Sequence, residues 1–512
     1  MSIQNTVWNL FEKTSLKYKN KECLFFPNTS EHVSWYELNS LSCIVANSLI
    51  NLGLKKGDKL AVYGEISCFW VTFFLACAKA GIICILVSGK SGICEVTNIL
   101  AKTEANYLVI LGNSNLTNCN NILECVNSQF KNFRFLKKIF YNDKYIDEPT
   151  DNFPCVKISN LIKCNSKNEN FKEVDPDDIF CIFTTSGSTG TPKLVHWSNA
   201  DFIRETIFLK RNLPIDDNDI LLFSTPLYCL AATDLLILAL STGAKIIALQ
   251  HFSASKCAEI MCAEKVSIIF GVPSIFFSLS KNKKFTYYDK NLAYIHTAIC
   301  FGDCIDECLI KKTIKKLNLR SFYDGYGCTE AGYICLTRYE YSDKLLLSNT
   351  VVSDFWDVKL DYDNPFFVSV VCTAYEVKIK SSKNGNIWVK TGDLGILRNN
   401  NIKIIGRIKN VIIKGGNNIF PSEIEIFLKK YDFIKEVRVF GIQDDFYGED
   451  ICICVTSDLD DPRTVEKNIR SVISENMSSD KIPKKILVLK FFPLLPSQKY
   501  DLVKLKEMAG TV

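Results

Sequence analysis

A chain of 512 residues exceeds what one hydrophobic core usually supports, so two or more domains are expected. Its 47% apolar and 23% charged residues describe an ordinary soluble globular protein. The net charge of +5 is spread as lysines interspersed with acids, which leaves no nucleic-acid footprint.

Met1 to Asn20 carries charges within its apolar pattern and lacks a signal-peptide core. Ser34 opens a helix with Glu37 three residues on, a capping-box arrangement, and Leu38, Leu41, Ile44, Val45, Leu49 and Leu52 share one face until Gly53. A strand is expected at Leu60–Tyr63. Cys68 to Ser88 is the most membrane-like segment, but Lys79 and Gly81 split it, so a buried helix running into a buried strand is expected and no membrane span. A cytoplasmic location follows by default. Further apolar runs, Tyr107–Leu111, Ile179–Phe183, Ile220–Phe223, Lys245–Leu249, Val266–Phe270 and Tyr294–Cys300, alternate with helix-like segments, the signature of parallel sheets covered by helices. From Phe366 the pattern changes to short alternating strands, and the last hundred residues read as a compact α+β unit with its boundary near Arg407. The 22 cysteines include no Cys-x-x-Cys pair and read as reduced core residues. Cys300, Cys304 and Cys308 share a helical spacing, yet a structural zinc needs a fourth ligand, and none is expected there.

One stretch carries the most chemistry. Thr184-Thr185-Ser186-Gly187-Ser188-Thr189-Gly190-Thr191-Pro192-Lys193 follows a β-like run and packs hydroxyls and glycines into a turn ending at a lysine. With few Cβ atoms, its N–H groups, hydroxyls and lysine can meet several anionic oxygens at once. It is not a Walker A loop, because no helix-opening Gly-Lys-Ser/Thr follows.

This loop resembles the signature of the adenylate-forming superfamily of acyl-CoA synthetases, adenylation domains and luciferases. Further matches follow in that family's order: Tyr326-Gly327-Cys328-Thr329-Glu330, Thr391-Gly392-Asp393, Gly406-Arg407 with Gly415–Glu423, and Pro493–Lys499. The resemblance implies an α/β protein. A large N-terminal domain (1–406) has helix-covered, mainly parallel sheets and a small β-barrel-like subdomain, followed by a small mobile α+β C-terminal domain (407–512). It also implies attack of a carboxylate on the α-phosphate of ATP, giving an acyl-adenylate and pyrophosphate. Charge then builds on phosphate oxygens, so placed cations and N–H donors matter more than a base.

By resemblance, Thr185, Ser186, Gly187, Ser188, Thr189, Gly190 and Lys193 embrace the β- and γ-phosphates, Glu330 ligates Mg²⁺, and Thr329 contacts a phosphate. Tyr326 stacks on adenine beside Asp324 and Gly325, with the backbone at Gly302, Asp303 and Cys304 lining the base. Asp393 and Arg407 hold the ribose, Asn410 stands at the hinge, and Lys499 reaches in from the small domain. Departures from the family pattern are Gln498 before the lysine, Asn410 at the hinge, and a short segment between Glu330 and Thr391 that implies a trimmed subdomain.

The local flavour is that of benzoate-type acyl- and aryl-CoA ligases. The register places Tyr228, Cys229, Leu230, Asp234, Phe270, Ile299, Phe301, Gly325, Tyr333 and Ile334 around the acid. Leu230 stands where amino-acid adenylation domains carry their amine-binding aspartate, which disfavours an α-amino acid, whose ammonium would be buried unpaired. Bulky Phe301 argues for a small carboxylic acid. Asp234 either receives a distal group of that acid or caps the following helix. Coenzyme A is the expected acceptor; the alternatives are a phosphopantetheine arm on a carrier protein, or a non-catalytic nucleotide sensor.

Overall fold

The computed structural model describes the chain apart from residues 1–5, 113–117, 129–132, 150–152, 164–170, 186–192, 283–293, 304, 306, 343–344, 370–371, 382–387, 399–400, 416, 496–498 and 511–512. The alternating apolar runs resolve into two large sheets. One runs Cys155–Lys157, Lys138–Tyr141, Tyr107–Ile110, Lys59–Gly64, Ile83–Ser88, Ile179–Thr185 and Lys193–Ser198, parallel except for its last pair. The other runs Leu345–Val352, Gly332–Ser342, Ser321–Cys328, Thr297–Phe301, Ile268–Gly271, Ile220–Phe223, Lys245–Ala248, Glu22–Phe26 and Glu31–Ser34. Its strands from Ser321–Cys328 to Glu22–Phe26 are parallel, and its outer pairs are antiparallel.

Helices Cys68–Ala80 and Leu230–Thr242 are buried around almost their whole circumference, as their apolar composition demands. Their residues Phe73, Phe74, Leu235 and Leu236 join Leu60 and Val62 of one sheet and Phe223 and Ile246 of the other in a single core. The expected helix-into-strand reading of Cys68–Ser88 therefore holds. Lys79 is accommodated because its ammonium lies 4.3 Å from the Trp8 ring centre and 3.9 Å from the part-exposed Glu12 carboxylate. Among the described residues no helix is long and apolar enough to cross a membrane.

Three local expectations change. The shift to antiparallel strands begins at Gly332 instead of Phe366. One hairpin, Gly332–Ser342 with Leu345–Val352, extends the large sheet. A meander follows: Trp356–Ser369, Cys372–Ser381, Val389–Arg398 and Asn401–Arg407. These strands are longer than expected because antiparallel neighbours need only tight turns and because register shifts, as between Asp361 and Pro365, let them bend. Second, Cys300 ends a strand while Cys308 lies in helix Glu307–Leu317, so the cysteines do not share one helix. Third, Asp234 does not cap: its helix already starts after Cys229, and Thr233 Oγ1 donates instead to the Leu227 carbonyl at 2.6 Å. The apolar run begins at Leu230, so the pair sits one turn inside.

The C-terminal sheet, Asn417–Ile419, Ile412–Lys414, Gly448–Ser457 and Ile434–Asp444 with Lys485–Val488 added in parallel, packs helices Pro421–Leu428 and Pro462–Asn476 over its own core. The capping box also forms: Ser34 Oγ accepts from Glu37 N–H, and the Glu37 carboxylate accepts from Ser34 N–H. Ser34→Ala is expected to cost about 0.5–2 kcal/mol, read as a lower urea midpoint for loss of the N-terminal sheets.

Candidate active site

The parallel strands Ile220–Phe223, Ile268–Gly271, Thr297–Phe301 and Ser321–Cys328 run side by side, and the crevice beyond their carboxyl ends is where open α/β sheets take ligands. There a cleft of about 620 Å³ is lined by Gly302, Asp303, Asp324, Gly325, Tyr326, Asp393, Arg407, Asn410 and Lys499. Predicted site residues from five separate segments are thus brought together, while Thr185, Lys193, Thr329 and Glu330 are not among the residues that line this cleft. Ser186–Gly190 and Cys304 lie outside the described residues.

Asp393 is the organising carboxylate of the cleft. It accepts from Tyr326 Oη at 2.8 Å and pairs with Arg407 Nε at 2.8 Å, while its own N–H donates to Thr391 Oγ1. Gly392 adopts φ +75°, a left-handed turn that swings Asp393 toward Tyr326. Burial raises the Tyr326 phenol, and the adjacent Asp393 charge adds to that, so it stays a donor. Burial also lifts Asp324 to about 7, opposed by Lys403 and reinforced by Asp303.

The hydroxyl-rich turn joins strands Ile179–Thr185 and Lys193–Ser198 as an antiparallel hairpin in which Thr185 faces Lys193. A strand follows the turn where a Walker A loop has a helix, which agrees with the sequence argument. Trp197, on the second strand, donates Nε1–H to the Thr329 carbonyl at 2.8 Å. This bond draws the hairpin to the Thr329–Glu330 turn, where Glu330 is exposed.

Lys499 belongs to a small hairpin whose base is tied by Leu495 N–H to the Lys499 carbonyl at 2.7 Å and Asp501 N–H to the Pro493 carbonyl at 2.9 Å. Its chain lies over Gly302, at φ +102°: a Cβ there would stand 3.2 Å from Lys499 Cε. The lysine end could give by a few tenths of an ångström, but the left-handed φ itself favours glycine at this position. Burial lifts the Cys229 thiol to about 11 against a lowering influence from Lys499, which places the ammonium near one of the residues expected to face the acid.

Of those residues, Phe270, Ile299, Phe301, Tyr333 and Leu230 share one apolar core. The Phe301 ring lies 5.8 Å from Phe270 and 4.7 Å from Tyr333, centre to centre, and rests directly on Gly325. Two predicted members fall elsewhere. Ile334 points to the opposite face of its strand and packs with Leu360 and Val377 of the meander, as strand alternation requires. Tyr228 lines a separate small crevice with Ser88 and Lys90. Asp234 is 1% exposed, with neither carboxylate oxygen hydrogen-bonded among the described residues. Burial raises it well above the usual carboxylate range, reinforced by Glu205.

Glu205 was not anticipated. It is fully buried, accepts from Tyr333 N–H at 3.0 Å, and is pushed up to about 7 by burial. A lone acid within the apolar pattern Phe202, Ile203, Thr206, Phe208, Leu209 was the available signal. Arg438, in contact with Asp303 across the cleft, was also missed, because nothing local in its strand marks it.

Both Asp324 and Glu205 bind protons more readily folded than unfolded, so the native state holds more protons between about pH 4 and 7, and stability falls as pH rises through that window. Melting temperature is expected to decline from pH 5 to 8. Asp324→Asn or Glu205→Gln should flatten that decline, and an unchanged slope in both variants would contradict it.

Residues 11–390 match the AMP-binding enzyme family, and residues 423–499 match the AMP-binding enzyme C-terminal domain. The chain is 25% identical to a mitochondrial medium-chain acyl-CoA ligase of Macaca fascicularis, over 99% of this chain and 87% of that protein. It is 23% identical to an acyl-CoA ligase of Ajellomyces capsulatus, over 96% of this chain and 88% of that one. Its fold is similar to that of the anthranilate CoA ligase AuaEII in complex with anthranoyl-AMP (TM-score 0.83, 18% identity, 100% and 99% coverage). It is also similar to a benzoate CoA ligase from Burkholderia xenovorans LB400 (TM-score 0.78, 15% identity, 98% and 99% coverage). With a family match spanning most of its length, the chain belongs to the AMP-binding enzyme family, within the adenylate-forming superfamily.

Proposed function

We propose that this protein is an AMP-forming acid–CoA ligase that activates a small carboxylic acid. The observation that carries the reading is the seating of Lys499 on Gly302, where the nucleotide cleft meets the aromatic cluster at Phe301. A lysine there can neutralise charge as a carboxylate oxygen bonds to the α-phosphorus of ATP and the bond to pyrophosphate breaks. The thiol of CoA, losing its proton, then attacks the acyl carbon, and AMP departs.

In this reading Asp393 and Arg407 hold the ribose, with the Tyr326 ring beside the base and its hydroxyl fixed by Asp393. Lys193 and the turn before it hold the β- and γ-phosphates. The exposed Glu330 carboxylate, next to Thr329, whose carbonyl Trp197 holds, fits a hard, oxygen-seeking Mg²⁺, which when bound would offset phosphate charge. Domain division falls at residues 406 and 407, with Asn410, in the 3₁₀ turn Ile408–Asn410, as the hinge.

Phe270, Ile299 and Phe301 are at most 2% exposed and Phe301 fills the space over Gly325, which favours a compact acid over a long chain. Tyr333 Oη donates to the Ala231 carbonyl, one turn before Asp234, so Asp234 lies on the Tyr333 side of its helix. We assign it to the far end of the acid pocket, where it meets a distal polar group of the substrate.

The test is acid-dependent ATP–pyrophosphate exchange with acetate, hexanoate, octanoate, benzoate and anthranilate, followed by CoA or a holo-carrier protein as acceptor. Lys499→Ala is expected to lower exchange at least roughly a hundredfold, the scale of one removed transition-state donor, with ATP binding retained. Unimpaired exchange in that variant defeats the assigned role. No exchange with any acid favours a nucleotide sensor, and transfer to the carrier but not to CoA replaces the acceptor.

A further inference from the structure

We infer that Arg438 is a positioning residue for Lys499, tying the small lobe to Asp303 so that the lysine is seated only while this contact is made. Arg438 comes from strand Ile434–Asp444 of the C-terminal sheet, with its side chain 12% exposed. One guanidinium arm, Nη1, bonds Glu425 at 2.9 Å, and the other, Nη2, bonds Asp303 at 3.3 Å. Its central carbon lies 4.1 Å from the centre of the Tyr500 ring.

The sequence neighbours of these partners give the arrangement its meaning. Asp303 follows Gly302, and Tyr500 follows Lys499, the two residues that meet at the proposed reaction centre. A single planar cation therefore grips the residue next to each. Tyr500 is itself fixed: its hydroxyl donates to Glu436 at 3.1 Å, and its ring packs edge-on against Phe492 at 5.4 Å. Glu425 is fixed as well, accepting Val439 N–H at 2.9 Å. The guanidinium is thus oriented wholly within the small lobe by Glu425 and Tyr500, and presents its remaining arm to the large lobe. Asp303 is about half exposed, 47%, so water can replace Arg438 there when the lobes part.

Such a contact can be made and broken within each turnover, because neither partner is left buried and unpaired after separation. Lysine cannot substitute fully, since it lacks the planar fork that bonds two carboxylates while stacking on a ring. The inference rests on the role proposed for Lys499, and the two can fail separately.

The experiment compares Arg438→Met, Arg438→Lys and Asp303→Asn with the parent protein. Pyrophosphate exchange is measured with benzoate and with octanoate, and the second half-reaction with synthetic benzoyl-adenylate and octanoyl-adenylate plus CoA. Arg438→Met is expected to lower exchange roughly tenfold or more, the scale of one lost charge-assisted hydrogen bond, while thioester formation from the adenylate is little changed. Arg438→Lys restores part of the loss. Adding Asp303→Asn to Arg438→Met costs little further, because the two act through one contact. Small-angle scattering with Mg²⁺ and α,β-methylene-ATP gives a readout independent of the acid: the parent closes to the smaller radius, and Arg438→Met stays larger. Unchanged exchange, an equal fall in both half-reactions, or identical scattering overturns the inference. If no acid supports exchange, the scattering comparison alone decides.

Discussion

The architecture converges on one close approach, that of the Lys499 chain to the backbone of Gly302. It requires a glycine in a left-handed conformation at the end of a parallel strand and a lysine on a hairpin pinned at its base. It also requires two lobes whose surfaces carry opposite charges beside the contact point. Each condition is met by a different part of the chain, so the site exists only when the lobes are together. A cation delivered this way would reach the proposed phosphate region without being buried permanently, which would carry a desolvation penalty.

The large lobe supplies the rigid half of that arrangement. Its middle layer of mainly apolar helices locks two sheets together, so the carboxyl ends of the parallel strands are fixed relative to the hydroxyl-rich hairpin on the neighbouring sheet. The Trp197–Thr329 bond and the Glu205–Tyr333 bond cross between these halves at the points where phosphate and acid are proposed to lie. Polar groups inside such a layer must be paired or neutral. Glu205, pushed up to about 7, and Asp234, raised well above its usual range, follow that rule through their protons.

The cleft shows the same economy. Asp393 organises it because its two oxygens have separate partners, one a phenol and one a guanidinium, each from a different segment. The carboxylate is thereby oriented before any nucleotide enters, and preorganisation of this kind lowers the entropic cost of binding. Asp324, in contrast, is raised by burial, with Lys403 as its favourable neighbour and Asp303 as its unfavourable one.

Much of this was legible in the residues themselves. Local rules placed the Ser34 capping box, the Cys68–Ala80 helix leading into its strand, and the parallel runs, because periodicity and turn chemistry act over a few residues. Motif order singled out segments that line one cleft, since chemistry restricts which side chains suit a polyphosphate or a ribose. The partition of strand faces was not legible: Tyr333 and Ile334 are adjacent, yet one packs on Phe301 and the other on the meander. Nor was the start of the helix that carries Asp234, whose true cap, Cys229, makes no side-chain bond and leaves no signal. Glu205 and Arg438 gained their partners, Tyr333 and Asp303, from positions more than a hundred residues away. Sequence determined the elements and the chemical repertoire, because those depend on near neighbours. Only the tertiary structure decided which charges face one another, because that follows from how lobes and layers close.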